Sequence, residues 1–198
     1  MNTEVASTTS TEWKLPSHRK VGMICLIITE SALFSIFVVA YLFYTGKSLN
    51  APYPKEVLAI PIAATICLLS SSFTIVFAEK MLHRGSKLFF HFWWLVTMAL
   101  GLVFLGYTAV EWYTLIYKDH LTVSTNVFGT TFYSLVGLHA SHVIVGLMLL
   151  SLVLISSLRG KLDKAHFEHA EMISWYWHFV DWIWVIVLIV AYIKPLYL

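Results

Sequence analysis

The chain has 198 residues, 59% of them hydrophobic, and carries 13 Lys or Arg and 11 Asp or Glu. That is 12% charged, against about 25% in a soluble domain. It is too few charges to cover a soluble surface, which argues against a soluble enzyme, a disordered chain, a nucleic-acid binder and a disulfide-rich secreted module.

In chain order, residues 1–20 are rich in Ser and Thr and are expected to form a mobile N-terminal tail. No basic residue precedes Lys14, and the next apolar run is too long for a signal peptide, so that run reads as a retained helix. Five long apolar runs follow, at 21–44, 57–78, 88–110, 128–158 and 172–193. Each exceeds the roughly 20 residues that cross a bilayer as a helix. None alternates as a barrel strand would. Together they hold two Asp, Glu, Lys or Arg residues, Glu30 and Asp181. The expectation is an all-α membrane protein, a single domain over 21–198 built as a five-helix transmembrane bundle.

The loops are short enough for basic residues to set orientation. Lys14, Arg19 and Lys20, then Lys80, Arg84 and Lys87, then Arg159, Lys161 and Lys164 place nine on one side. Lys47, Lys55, Lys118 and Lys194 place four on the other. The N-terminus is therefore expected inside and the C-terminus outside. No internal repeat and no second domain is visible.

An ionisable group near the bilayer centre costs about 2.5–3.5 kcal/mol on insertion scales, so each needs a reason. In the first run, Glu30 shares an azimuth with Phe34, Phe37 and Tyr41 and so faces protein. It reads either as a proton-handling carboxyl or lipid or interhelical partner, or as a hydrogen-bonded packing group. Cys25 and Cys67, in the first and second runs, are not a CxxC pair and read as small packing residues. The third run has His91, Trp93 and Trp94 at its start, and Glu111, Trp112 and Tyr113 just past its end. Both groups read as interface anchors.

The fourth run carries His139 and His142, three apart on one face, with Gly146 close to their azimuth to let another helix approach. Two histidines so placed on one helix cannot both be axial ligands of one haem. A metal would need a third ligand. They read as hydrogen-bonding packing residues ahead of ligands.

Along the fifth run, Glu171 at its edge and Ser174, His178 and Asp181 within it fall within about 80° of arc. His178 and Asp181 are spaced to pair. The stripe is either a structural buried pair or a proton relay. Trp175 and Trp177 near the start of this run fit an interfacial belt. No P-loop, dinucleotide-binding glycine signature, HExxH or triad context is present.

These residues resemble a known family. The stretch SWYWHFVDWIWVIVLIVAYI at 174–193 is similar to the YWHFVD signature of subunit III of the haem–copper respiratory oxidases, in its five-helix bacterial form. FYSLVGLHASHVIVGL at 132–147 resembles the family's paired-histidine helix. ITESALFSIFVVAYLF at 28–43 and LGLVFLGYTAVEWYTL at 100–115 resemble its acidic and Glu-aromatic segments. Tyr107 departs from the Gln of many relatives. Longer relatives carry two further N-terminal helices.

The resemblance implies a non-catalytic subunit with no haem or copper of its own. It would pack on subunit I, which holds the haems and copper and reduces dioxygen to water. Subunit II would be a further partner, carrying copper where the donor is cytochrome c. The resemblance also implies bound phospholipid, support for proton uptake and for the durability of subunit I, and a place in the bacterial inner membrane within an aerobic electron-transport chain. Glu30 matches the family's membrane acid, His139 and His142 the fourth-helix pair, and Glu171, His178 and Asp181 the last-helix signature. None of them is implied to be a metal ligand. Glu30 favours a cytochrome c oxidase. A quinol oxidase is the alternative host, and the related subunit of a nitric oxide reductase is a third. Outside the family, an autonomous proton carrier and a b-type cytochrome are the competing classes.

Overall fold

The computed structural model describes residues 18–48, 50–159 and 164–197. Most of the expected tail, residues 1–17, lies outside the described residues. The described chain is all helical, with no strand. Its elements are α1 (His18–Tyr44), α2 (Pro54–Val57), α3 (Ile62–His83), α4 (Lys87–Tyr117), α5 (Val127–Leu158) and α6 (Lys164–Val187). The last rod continues through a π-helical turn, Leu188–Ile193, into α7 (Lys194–Tyr197). Five segments are long and apolar enough to cross a membrane, the fifth being Phe167–Ile193.

The expected runs and the helices differ at their ends. The second helix starts at Ile62, five residues later than the apolar run, because Pro61 holds its N-terminus and residues 58–61 form a non-helical link after α2. It runs on to His83, which brings Glu79 into the helix. The third continues past Val110 to Tyr117, and the last starts at Lys164 rather than Met172. Hydropathy marks the hydrocarbon slab. Backbone hydrogen bonding continues beyond it until a cap or a helix breaker intervenes.

Two caps fix the topology. At the end of α3, Gly85 has φ +74° and follows the last helical carbonyls. Its N–H donates to Leu82 O at 3.0 Å, and the Ser86 N–H donates to Met81 O at 3.0 Å. This is a Schellman turn, which needs the left-handed conformation that glycine adopts at no steric cost. The resulting three-residue link makes α3 and α4 an antiparallel hairpin with the most extensive packing in the chain. At the start of α5, Asn126 Oδ1 accepts from the Gly129 N–H at 2.8 Å. Its amide donates to Asn50 O and Pro52 O at 3.0 and 3.1 Å. One side chain therefore caps a helix and ties down the first loop.

The last rod is the hub, packing against α1, α3 and α5, while α1 packs mainly on α5 and the last rod. Polar Ser71, Thr97, His139, Ser174 and Asp181 are buried, whereas Ile28, Ile36, Val39, Phe73, Leu88 and Trp182 are exposed. An apolar exterior around a partly polar interior suits hydrocarbon as solvent. There, helices associate through close packing and hydrogen bonds rather than through expulsion of water. Cys25 is exposed and Cys67 half-buried, so Cys25 sits on the outer apolar surface and not in the core. Trp177 is fully buried, so the expected tryptophan belt is reduced to Trp175, beneath Lys20.

Candidate functional site

The buried polar residues sort into four groups. In the first, Glu30 on α1 meets His142 on α5, with Oε2 to Nε2 at 3.0 Å. The other ring nitrogen, Nδ1, lies 2.8 Å from Leu138 O. A carbonyl only accepts, so Nδ1 carries a proton and donates it there. The Glu30–His142 contact then holds one further proton between acid and ring, whichever of the two keeps it. Phe34 stands edge-on to the His142 ring at 4.8 Å. The aromatic stripe expected around Glu30 is therefore real, with Phe34 and Tyr41 buried and Phe37 half-buried. Tyr41 donates to Ala191 O at 3.1 Å, a carbonyl within the π-helical turn.

The second group separates the two histidines of α5. His139 is 0% exposed, and neither ring nitrogen has a hydrogen-bond partner. Its ring lies 5.0 Å from the ring of Trp184 and 5.7 Å edge-on to that of Phe104. His139 thus faces α4 and the last helix while His142 faces α1. The expectation that both are hydrogen-bonding residues holds for His142 alone. Among the described residues, no three His, Cys, Asp or Glu side chains converge as metal ligands. Gly146 does admit another helix. A Cβ there would come within 2.8 Å of Trp177 Cε3, and one at Gly101 within 2.8 Å of Trp177 Cη2. The indole is clamped between α4 and α5, and its Nε1 donates to Ser71 Oγ at 2.8 Å.

The third group lies at mid-height. His178 and Asp181 do not bond each other directly, as their spacing suggested. Both bond Ser72 of α3: Ser72 Oγ donates to Asp181 Oδ2 and lies 3.1 Å from His178 Nδ1. Asp181 is 2% exposed and its Oδ1 has no partner. Ser72 was missed from the sequence, although three consecutive serines, Ser70 to Ser72, interrupt an otherwise apolar run.

The fourth group joins the helix ends. Lys20 Nζ binds Glu171 Oε1 at 3.0 Å, and Arg19 Nη1 lies 3.4 Å from His169 Nε2. Nearby, Glu79 faces Ser174 and lies close to Glu171. Glu79 was also missed, because the apolar run stops at Ala78. Its position seven residues after Ser72 places it on the same helix face, which was the available signal. At the opposite end, Tyr192 donates to Glu111 Oε2 at 3.0 Å, so Glu111, which lies within α4 and not at its end, ties that helix to the last rod.

This combination of a Glu–His cross-link, a clamped tryptophan and a Ser–His–Asp knot holds helices together. A family model for cytochrome c oxidase subunit III matches residues 8–195. The chain belongs to that family. It is 34% identical over 183 residues to cytochrome c oxidase subunit 3 of Thermostichus vulcanus, covering 90% of this chain and 88% of that one. It is 29% identical to the subunit 3 of Alkalihalophilus pseudofirmus, covering 96% and 98% of the two chains. The pig (Sus scrofa) subunit 3 is 31% identical over 184 residues, 87% of this chain and 68% of its own. The subunit III residues singled out from sequence, Glu30, His139, His142, Glu171, His178 and Asp181, thus fall in four separate settings and form no single site. With five span-forming segments, this family member is a multi-pass membrane protein.

Proposed function

We propose that the chain is the non-catalytic subunit III of a proton-pumping haem–copper terminal oxidase, a cytochrome c oxidase that reduces dioxygen to water. It packs on subunit I, where haems and copper reside, alongside a copper-bearing subunit II. It holds phospholipid, supports proton uptake and prolongs the working life of subunit I. Its setting is the bacterial inner membrane, with the N-terminus inside and the C-terminus outside. The observation that carries this reading is the family match along almost the whole chain. The lipid role draws support from a cavity of about 330 Å³ between the helix ends, lined by Met23, Leu82, Phe90, Leu152 and Ile173, with His169 beside it. A largely apolar hollow with His169 on its wall and Arg19 against that ring suits an acyl chain under an anionic headgroup. The orientation rests on nine basic residues against four.

The test is purification of the membrane complex through a tag on this chain. The expected result is co-purification of a haem- and copper-bearing subunit I and a copper-bearing subunit II, with haem absorbance in the complex and none in this chain alone. Recovery with subunit I but without a copper-bearing subunit II would move the assignment to a quinol oxidase. A Soret band in the isolated chain, or proton flux through it alone in liposomes, would overturn the reading.

A further inference from the structure

The knot formed by Ser72, His178 and Asp181 opens onto a groove that none of the described residues fills. The groove holds about 440 Å³, between Leu69, Phe73 and Val76 on α3 and Trp182 and Val185 on the last helix. Its rims are the most protruding aromatics of the two helices: Phe73 is 70% exposed and Trp182 71%. Both lie away from the chain's own packing.

The hydrogen bonds in the groove are incomplete. Ser72 has one hydroxyl proton and gives it to Asp181. Its contact with His178 Nδ1 is then one in which Nδ1–H donates to Oγ. This fixes the tautomer of the neutral ring and leaves Nε2 as a bare acceptor. Nε2 has no hydrogen bond among the described residues, and His178 lines the groove. At the floor, Asp181 Oδ1 is buried with no partner. The site therefore lacks a donor.

Depth selects the occupant. Ser72 stands at the middle of Ile62–His83, and His178 and Asp181 flank the middle of Phe167–Ile193. The hydrocarbon core is about 30 Å thick, so headgroups lie roughly 15 Å away. An acyl chain reaches this depth but brings no donor. A membrane helix brings both an apolar ridge for the groove and a side chain that donates inside it.

We propose that this groove receives a transmembrane helix of another oxidase subunit, which presents a Ser or Thr hydroxyl to His178 Nε2. The inference rests on the reading of the chain as an oxidase subunit and names the surface through which that assembly is made. Subunit III would then dock through α3 and the last helix, with Trp182 and Phe73 gripping the partner helix on its two flanks.

Photo-crosslinking in the intact membrane complex tests it. A benzophenone amino acid is placed at Phe73 in one variant and at Trp182 in another. Both positions are exposed, so the fold tolerates the change. The expected result is that both reporters capture one and the same partner polypeptide. Introducing His178→Phe alongside the Trp182 reporter should lower that yield about threefold, the size of a typical interhelical hydrogen bond in membranes. Lipid adducts alone at both positions, in a complex that still contains the other subunits, overturn the docking surface and leave the oxidase reading intact. Capture of a partner with no response to His178→Phe overturns the recognition of a donor. A chain that purifies with no other oxidase subunit overturns both readings.

Discussion

Glu30 and Asp181 are both acids at depth in membrane-crossing helices, yet they sit on opposite kinds of helix. Of the most apolar stretch of α1, 6% is buried within the chain, against 56% for the last helix. Glu30 is half-buried and reaches across to one partner, His142. Asp181 is buried and meets a serine that it shares with His178. Losing a contact at the periphery leaves a group that can turn toward a neighbouring subunit. Losing one at the hub strands a polar group in a medium that offers no substitute. The peripheral acid thus sits where its one partner can be exchanged, whereas the central one is held inside the packed bundle.

The hub should fail first. Gly146→Val places a branched side chain where a single Cβ already meets the Trp177 ring at 2.8 Å. The ring is held between α4 and α5 and cannot withdraw. Overpacking of this kind costs about 1–3 kcal/mol, and the expected result is loss of the subunit from the purified complex. Normal recovery would show that α5 and the last helix can slide apart without penalty.

Ser72→Ala comes next. It removes the one hydroxyl that serves both His178 and Asp181, so one half-buried and one buried group lose a partner. The expected cost is about 1–3 kcal/mol, read as a lower temperature of subunit dissociation. Asp181→Ala should cost less, because only the serine hydroxyl is stranded and it can turn back to a helix carbonyl, as Ser71 does to Leu68 O. Equal effects from the two variants would mean that Ser72 is not the shared centre.

The membrane bundle was legible in the sequence because hydrocarbon imposes one rule on every segment, and five uninterrupted apolar runs satisfy it. The acid in the aromatic stripe was legible for a similar reason, since Phe34, Phe37 and Tyr41 repeat at helical spacing after Glu30. Partner choice was not. His139 and His142 share a helix face by arithmetic, yet the packing of α1 on one flank and Trp184 on the other sends them to different neighbours. His178 and Asp181 are spaced to pair, but a serine 106 positions before His178 intercepts both. Spacing along one helix ranks the local partners and carries no information about the side chain that a second helix inserts between them. Glu79 escaped notice for a different reason: apolar counting ended one residue before it, while the helix itself continued to His83.

The smallest structural effect is expected at Glu30, and it bears on function. Glu30→Gln keeps an amide in the place of the carboxyl, so a hydrogen bond to His142 Nε2 survives in one orientation. The proton held between acid and ring does not survive, because an amide cannot exchange it. Assembly should therefore be retained, with a stability change below about 1 kcal/mol. What should change is lipid retention or activity sustained over many turnovers, measured as phospholipid per complex and as the decay of oxygen consumption with turnover number. Unchanged lipid content together with an unchanged decay would make Glu30 a packing group like Asp181. The contrast between the peripheral and central acids would then reduce to burial alone.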